Sequence, residues 1–359
     1  MSTTPSLDQA SNIRNGEELP LEALNAYLSQ QLESFEGISA LKQFPGGYSN
    51  LTYFLQSGDQ EYVLRRPPFG ANIKSAHDMG REYKVLSHLK GHYDKIPMPF
   101  LHCEDEAIIG APFYLMERVQ GVIMRPSRPP KPLPEPSLMR GISESIIDNL
   151  VALHALDLEE TGLGKLGKPE GYTERQVSGW IRRYQKAKTD DIPAMDQLSE
   201  YMEGNLPEAP APAFIHNDFK YDNLVLDPED LTQVKAVLDW EMSTVGNPLM
   251  DLGTSMAYWV EKTDSPALHM FNLTALPGNL SRLEALERYA EKSGRDLSDI
   301  LFYFVYACYK LAVIIQQIYA RYVAGHTKDP RFAALIHVVQ ACSDTGVKAL
   351  QYGRIHDFR

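Results

Sequence analysis

The chain begins with one amphipathic repeat and continues with short apolar runs of strand length. Leucines recur at helical spacing between Pro20 and Phe35, which predicts a helix with one buried stripe. Residues 51–55 follow a glycine-containing loop and read as a strand, and the apolar run at 113–116 before Gly121 reads as another. The pattern therefore indicates a first region that is rich in strands.

Three later segments repeat apolar residues every three or four positions, which predicts helices at 139–156, 175–188 and 301–322. The last segment is the most membrane-like part of the chain, and a membrane span needs about 20 mostly apolar residues. Lys310 and Gln316 interrupt this segment. We therefore expect a core helix of a larger helical region, and no membrane partner.

A short hairpin is predicted between two of these helices. Residues 224–226 and 234–238 are rich in β-branched and leucine residues, and the Asp-Pro-Glu-Asp sequence at 227–230 is a turn signal. Such a hairpin folds the chain back on itself. It is expected to bring Asp239 close to Asn223.

The polar residues around this hairpin have the chemistry that phosphoryl transfer from ATP requires. Asp218 can orient or deprotonate an acceptor hydroxyl, and Lys220 can stabilise the moving phosphoryl group. Asn223 and Asp239 offer the oxygen donors that Mg²⁺ prefers. The alternative is a capped loop in which the same side chains only satisfy backbone groups.

The pattern His216-x-Asp218-x-x-x-x-Asn223 followed by Asp239-x-Glu241 resembles the aminoglycoside phosphotransferase and choline kinase group of small-molecule kinases. Within that group it is most similar to the branch found as free-standing proteins and as N-terminal domains fused to acyl-CoA dehydrogenases. The resemblance covers roughly residues 20–350. The family usually has Gly where this chain has Asn217, so we expect an altered loop contact with the chemistry retained.

The resemblance implies a two-lobed, protein-kinase-like α+β fold with ATP and Mg²⁺ bound between the lobes. The small β-rich N-lobe is expected at residues 1–118, and the larger, mainly helical C-lobe at residues 119–359. Asp218 and Lys220 would be catalytic, and Asn223 and Asp239 would hold the metal with help from Glu241. Two further residues are expected to support the catalytic loop, His216 within it and Asp251 as both a brace and the cap of the next helix.

The nucleotide site that the resemblance implies begins at the loop with Gly47, Ser49 and Asn50. Backbone N–H groups approach phosphates closely in such a glycine-containing loop, although a plain hairpin turn has the same sequence pattern. The strand at residues 62–66 resembles the third strand of the family's small lobe, which often carries a phosphate-binding Lys at its end. Here Arg65 matches that position best, with Arg66 next to it. Because side chains alternate along a strand, only one of the two arginines should face the cleft.

Glu82 resembles the carboxylate that orients this cation, and a surface ion pair is the alternative interpretation. The stretch 113–121 resembles the hinge between the lobes. The C=O of Glu117 and the N–H of Val119 would pair with adenine there, with Met116 behind the base.

Composition narrows the choice of partners and compartment. The 359 residues are 43% hydrophobic and 23% charged, which is ordinary for a globular protein. The net charge of −12 argues against nucleic-acid binding. Three widely spaced cysteines and a polar N-terminal sequence without a signal peptide predict reduced thiols and a cytoplasmic protein.

The acceptor side is locally basic. Residues 165–188 contain seven Lys or Arg and two Asp or Glu, a balance of +5 in a chain of −12. If Arg175, Arg182 and Lys186 line the acceptor cleft, the acceptor is an anionic hydroxyl compound such as a hydroxyacyl compound or its coenzyme A thioester, and a cationic aminoglycoside is disfavoured. A solvated helix face is the alternative.

Two other classes of function remain in view. A protein kinase would need a longer segment after Asp239 and an Ala-Pro-Glu signature, and only eleven residues separate Asp239 from Asp251. A non-catalytic nucleotide-binding module would not need Asp218, Asn223 and Asp239 together. The sequence therefore favours a kinase that acts on a small molecule.

Overall fold

The computed structural model describes residues 7–45, 50–69, 78–327 and 329–358. Its N-terminal part is built around a five-stranded antiparallel sheet in the order β1-β2-β3-β5-β4. Three helices accompany the sheet. The elements are α1 (Leu21–Gln31), β1 (Ala40–Gln43), β2 (Leu51–Ser57), β3 (Gln60–Arg66), α2 (Met79–Leu89), β4 (Pro99–Cys103), α3 (Glu106–Ile109) and β5 (Phe113–Glu117).

The two faces of this sheet belong to different cores. Tyr62 and Leu64, two positions apart on β3, pack with the leucines of α1. Val63 packs with α2 and with the large core of the rest of the protein. Because side chains alternate along a strand, Arg65 shares the face of Val63 and Arg66 shares the face of Leu64.

The remainder of the chain is mostly helical and carries two small two-stranded sheets, β6–β9 and β7–β8. The elements are α4 (Pro136–His154), α5 (Tyr172–Ala187), α6 (Pro193–Gly204), β6 (Ala213–Ile215), β7 (Leu224–Leu226), β8 (Val234–Val237), β9 (Thr244–Gly246), α7 (Pro248–Tyr258), α8 (Arg282–Ser293), α9 (Ile300–Val323) and α10 (Leu335–Tyr352). A small strand-rich part followed by a mainly helical part confirms the predicted α+β fold class. The lobe boundary after residue 118 stays a prediction.

Helix α9 is the centre of the helical part. It packs against α5, α7 and α10. By length and composition it could cross a membrane, but 78% of its most apolar window is buried inside the protein. This is the arrangement of a core helix, as the interruption by Lys310 predicts.

The packing of α7 on α9 can be tested with a small substitution. A Cβ atom added to Gly253 would lie 2.5 Å from the carbonyl oxygen of Tyr303, a backbone atom that cannot easily move. We expect Gly253→Ala to lower the free energy of unfolding by about 1–3 kcal/mol, measured by chemical denaturation. The control is Gly204→Ala at the end of α6, where nothing lies within 4 Å of the added atom. Equal stability of the two variants would contradict this packing.

Candidate active site

The predicted hairpin is present and places the two proposed metal ligands side by side. Leu224 of β7 pairs with Val237 of β8. The N–H of Leu238 then donates to the carbonyl oxygen of Asn223 at 2.8 Å. Asp239 is the next residue, so Asn223 and Asp239 are neighbours in space although they lie sixteen positions apart in the sequence.

Asp218 lies at the centre of a hydrogen-bonded group. Its carboxylate accepts from Nδ2 of Asn223 at 2.8 Å and pairs with Nζ of Lys220 at 3.0 Å. Burial raises the pKa of Asp218, but Lys220 and the hydroxyl of Tyr258 outweigh it and hold the pKa below its usual value. The carboxylate is therefore ionised and ready to accept a hydrogen bond from a hydroxyl group.

Lys220 lies between the carboxylate of Asp218 and the ring of Tyr258. Its ammonium lies 4.5 Å from the centre of the Tyr258 ring, within the range of a cation–π contact. Burial lowers the pKa of Lys220, and the nearby Tyr258 and Asp218 raise it to a net value above the ordinary one. The side chain is a fixed cation next to the carboxylate. No signal in the sequence identified Tyr258.

Asp251 holds the loop that carries Asp218. Its buried carboxylate accepts from the backbone N–H of His216 at 2.6 Å and of Asn217 at 2.8 Å, and it contacts Nε2 of His154 at 3.1 Å. The predicted brace is thus present. The predicted cap is not, because Asp251 lies inside α7 and the side chain of Asn247 caps that helix.

His216 connects the loop to the hairpin. Its Nδ1 accepts from the N–H of Asp218 at 3.3 Å, so Nε2 carries the proton and donates to the carbonyl oxygen of Leu238 at 2.9 Å. Burial holds the pKa of His216 below its ordinary value, which favours this neutral form. His216 supports the loop by these contacts.

Arg65, and not Arg66, faces the cleft. The guanidinium of Arg65 pairs with the buried carboxylate of Glu82 and reaches Oδ1 of Asp239 at 3.1 Å. Arg66 points to the other face of the sheet, where it donates to the carbonyl oxygen of Ile109 at 2.9 Å. Glu82 is 1% exposed, so the pair is not a surface ion pair. The contact joins the sheet to the hairpin.

The donor set near the hairpin fits a magnesium ion. The Nδ2 of Asn223 points to Asp218, which leaves its Oδ1 for a metal. Asp239 has one oxygen on Arg65, and its side chain is 34% exposed to the cleft. Glu241 accepts from Nδ2 of Asn50, and burial together with Asp239 raises its pKa to about 8. Among the described residues no three His, Cys, Asp or Glu side chains form a metal site by themselves, so nucleotide phosphates would complete the coordination.

These residues line one cleft with a volume of about 790 Å³ between the sheet and the helical part. Asn50, Glu117 and Val119 line the same cleft, as a nucleotide site requires. Gly47 and Ser49 lie outside the described residues. The roles of all these residues in nucleotide and metal binding stay predictions.

A second, smaller cavity of about 340 Å³ lies next to the loop that carries Asp218 and is lined in part by Asn217. Arg175 lines it, whereas Arg182 and Lys186 are exposed elsewhere on α5 and line neither cavity. Lys310 also lines it. This residue was absent from the predicted site, although a lone lysine in an apolar helix is a signal that could have identified it.

The side chain of Asn217, at the position where the family usually has Gly, makes the altered loop contact that was expected. Its φ of 66° lies in the left-handed region, which Asn tolerates better than most residues. Its Nδ2 donates to the hydroxyl of Tyr172 at 3.2 Å and to the carbonyl oxygen of Met242 at 3.0 Å. The side chain thus ties α5 to the segment after Asp239, in the wall of the second cavity.

A comparison with known families decides where this site belongs. The model of the phosphotransferase enzyme family, APH, matches residues 40–286. The chain belongs to this family. The resemblance expected from the motif around Asp218 is confirmed.

The curated relatives confirm the predicted branch as well. Acyl-CoA dehydrogenase family member 11 of Rattus norvegicus is 36% identical over 339 residues, which are 91% of this chain and 43% of that protein. The chain thus spans less than half the length of the relative it matches.

Solved structures show the same fold. A provisionally named aminoglycoside phosphotransferase of Ralstonia eutropha is 29% identical, with a TM-score of 0.80 over 93% of this chain and 99% of that one. A thermostable mutant of aminoglycoside phosphotransferase APH(4)-Ia, crystallised with ADP and hygromycin B, is 17% identical, with a TM-score of 0.61 over 91% and 98%.

Substitutions at Arg65 and Glu82 can distinguish a structural role of Arg65 from a role in nucleotide binding. Arg65→Met leaves the Glu82 carboxylate buried and unpaired, so we expect the free energy of unfolding to fall by about 3–5 kcal/mol and nucleotide binding to weaken. In the control, Arg65→Met with Glu82→Leu, the buried charge is gone. We expect this double variant to recover most of the stability in chemical denaturation but not the affinity for an ATP analogue in calorimetry. Recovery of both would show that Arg65 does not bind nucleotide.

Proposed function

We propose that this protein transfers the γ-phosphoryl group of ATP to a hydroxyl group of a small molecule. The observation that carries the proposal is the ionised Asp218 carboxylate, held between Lys220 and Asn223 at the edge of the cleft. Catalysis of this reaction is mostly positioning and charge stabilisation, for which a fixed carboxylate and a fixed cation suffice.

Each side chain has a distinct task in this proposal. Asp218 accepts the hydrogen bond of the acceptor hydroxyl and takes its proton as the oxygen attacks phosphorus. Lys220 remains protonated and offsets the negative charge on the transferring group. Arg65, oriented by Glu82, contacts the phosphates of the nucleotide. Bound Mg²⁺, held by Asn223 and Asp239, would neutralise phosphate charge.

The fold relatives support nucleotide use. The APH(4)-Ia crystal with ADP and hygromycin B shows that this fold can hold a nucleotide and a small acceptor together. The cleft in this protein is lined both by Glu117 and Val119 of the proposed hinge and by Asp218. Such a cleft has room for both substrates, and a catalytic role is favoured over a non-catalytic nucleotide-binding module.

The acceptor that we propose is an anionic hydroxyl compound, such as a hydroxyacyl compound or its coenzyme A thioester. The reason is the set of cations beside the catalytic loop, in a chain whose net charge is −12. A polycationic aminoglycoside would be repelled by that set, so antibiotic phosphorylation is the weaker candidate. A screen of hydroxyl metabolites for ADP release tests the choice.

The role of Asp218 is tested with the isosteric Asp218→Asn variant. An amide cannot accept the hydroxyl proton, so we expect turnover to fall by about 10²–10⁴-fold in an ADP-release assay. Binding of a non-hydrolysable ATP analogue should persist, because Asp218 does not contact the base or the α- and β-phosphates in this proposal. Near-normal turnover of the variant would mean that the base has been misassigned.

The metal proposal gives a separate expectation. We expect Asp239→Asn to raise the Mg²⁺ concentration needed for half-maximal activity at least severalfold, because one of the two side-chain oxygen ligands loses its charge. The control is Asp227→Asn in the turn of the hairpin, whose side chain caps backbone N–H groups away from the cleft. An unchanged Mg²⁺ requirement in Asp239→Asn would argue against this ligand.

A further inference from the structure

A segment near the N-terminus runs along the edge of the cleft between the sheet and the helical part. Asp8 in this segment lines the same cleft as Glu117 and Asp218, and its side chain is still partly exposed. We call residues 7–11 the strap. They precede every helix and strand of the fold, and no pattern in the sequence predicts where they lie. The strap contacts both parts of the protein that the cleft separates.

One end of the strap is fixed to the sheet. Ser11 and Gln43 of β1 form an antiparallel bridge, in which each backbone N–H donates to the carbonyl oxygen of the other residue, at 2.8 and 2.9 Å. β1 is an edge strand of the five-stranded sheet, and the bridge pairs part of that edge. Because both bonds join backbone groups, they hold the strap whatever side chain stands at position 11, provided that its backbone N–H is present.

The other end of the strap is fixed to the helical part. The backbone N–H of Asp8 donates to the carbonyl oxygen of Gly121 at 3.3 Å, and Leu7 packs against the large core. The residue after Gly121, Val122, exchanges two backbone hydrogen bonds with Leu226 of β7, at 2.9 and 2.8 Å. The strap is thereby joined, through Gly121 and Val122, to the hairpin that carries Asn223 and Asp239.

Two arginines hold Asp8 at this position. Nη2 of Arg118 donates to the backbone carbonyl oxygen of Asp8 at 2.8 Å, and Nη1 pairs with Glu61 of β3 at 2.6 Å. Nη2 of Arg125 pairs with Oδ2 of Asp8 at 3.3 Å, and the side chains of this pair are 28% and 24% exposed. Ion pairs that water reaches contribute little to stability. The contact between Asp8 and Arg125 can therefore break and re-form while the protein stays folded.

These contacts oppose any movement that opens this part of the cleft. The three residues from Asp8 to Ser11 span at most about 10 Å, so the strap cannot stretch far when the sheet moves away from the helical part. One end has to detach first. Arg118, which holds the strap, lies between Glu117 and Val119, the two residues proposed to pair with adenine. A base bound there would lie next to the strap.

We infer that the strap is a gate for the nucleotide, which opens when the end at Asp8 leaves Gly121 and Arg125 and closes when that end returns. The inference rests on the proposed function, because it takes the cleft to be the ATP site. A gate of this kind slows the entry and the release of the nucleotide alike. It therefore sets how fast ATP and ADP exchange and leaves their affinity almost unchanged, since closure without a nucleotide contact favours neither state.

The first test measures exchange rates with the full chain. The probe is ADP that carries a fluorescent N-methylanthraniloyl group, mixed with the protein and Mg²⁺ in a stopped-flow instrument. Asp8→Ala removes the ion pair with Arg125. We expect the association and dissociation rate constants both to rise about 3- to 10-fold, with a change in Kd of less than about twofold.

The control for this variant is Arg14→Gln. It removes an ion pair with Glu17 on the sheet side of the strap, and it should change neither rate constant. A rise of the dissociation rate constant alone in Asp8→Ala would show that Asp8 contacts the nucleotide directly, which overturns the gate. Unchanged rate constants in Asp8→Ala would overturn it as well.

A double variant tests whether Asp8 and Arg125 act as one contact. We expect Arg125→Gln to raise both rate constants as much as Asp8→Ala does, and the double variant to exchange nucleotide no faster than either single variant, because the same ion pair is lost in all three. Effects that multiply in the double variant would show that the two side chains act separately. That result would overturn the gate held by this pair.

The other end of the strap gives an independent test. Ser11→Pro removes the N–H that donates to Gln43 at an exposed position, whereas Ser11→Ala keeps it and serves as the control. We expect Ser11→Pro to speed hydrogen exchange at the backbone amide of Gln43 and to raise both nucleotide rate constants at least 3-fold or so, about as much as Asp8→Ala. Faster amide exchange with unchanged nucleotide rates would mean that the strap opens without gating the cleft, and the inference would be wrong.

The outcome for the gate is separate from the outcome for the proposed function. Both are measured on the same preparations, by stopped-flow exchange of the fluorescent ADP and by ADP release in a screen of hydroxyl acceptors. Gated exchange without phosphoryl transfer to any acceptor would refute the proposed function alone. Phosphoryl transfer with exchange rates that the strap variants do not change would refute the gate alone. Absence of ADP binding to the wild type would refute both.

Discussion

The carboxylate of Asp251 holds in place the loop that carries Asp218, and the rest of the site depends on it. Removing a charge from water is costly, so a fully buried carboxylate persists only when hydrogen bonds satisfy it. The backbone N–H groups of His216 and Asn217 supply two of these bonds and the ring of His154 a third. Burial raises the pKa of Asp251, but His154 and these donors bring it below its ordinary value. The loop that carries Asp218 is therefore fixed before any substrate arrives.

A second contact ties this loop to the sheet. Arg65 reaches Glu82 on α2 and Asp239 after the hairpin, so one guanidinium joins three elements. Asp239 and Asn217 both adopt left-handed backbone conformations, with φ of 67° and 66°. Such conformations are uncommon for residues other than glycine, and they persist where surrounding contacts hold them. Here the side chain of Asp239 contacts Arg65 in the cleft. The side chain of Asn217 contacts Tyr172 and Met242 in the wall of the second cavity.

The distribution of charge separates the two spaces chemically. The cleft combines Asp218, Asp239 and Glu241 with Arg65 and Lys220, which suits a metal–nucleotide complex that carries both signs of charge. The second cavity is lined by cations alone among its charged groups in the described chain. Asn217 stands in the wall between them, because its backbone carbonyl accepts from Lys310 and its neighbour is Asp218. The two spaces thus meet at one short loop.

The sequence by itself determined the elements and the chemistry that depend on local pattern. Apolar periodicity predicted the helices, and a turn signal between two β-rich runs predicted the hairpin that brings Asn223 to Asp239, because both patterns act over a few residues. Spacing could not decide between Arg65 and Arg66. Strand alternation places their side chains on opposite faces of the sheet, and the position of α2 decides which of those faces borders the cleft. The sequence also did not show that Lys310 lies beside Asn217. It did not show that Arg182 and Lys186 lie outside both cavities. Those contacts join residues far apart in the chain, and only the packing of α5, α7 and α9 brings them together or keeps them apart.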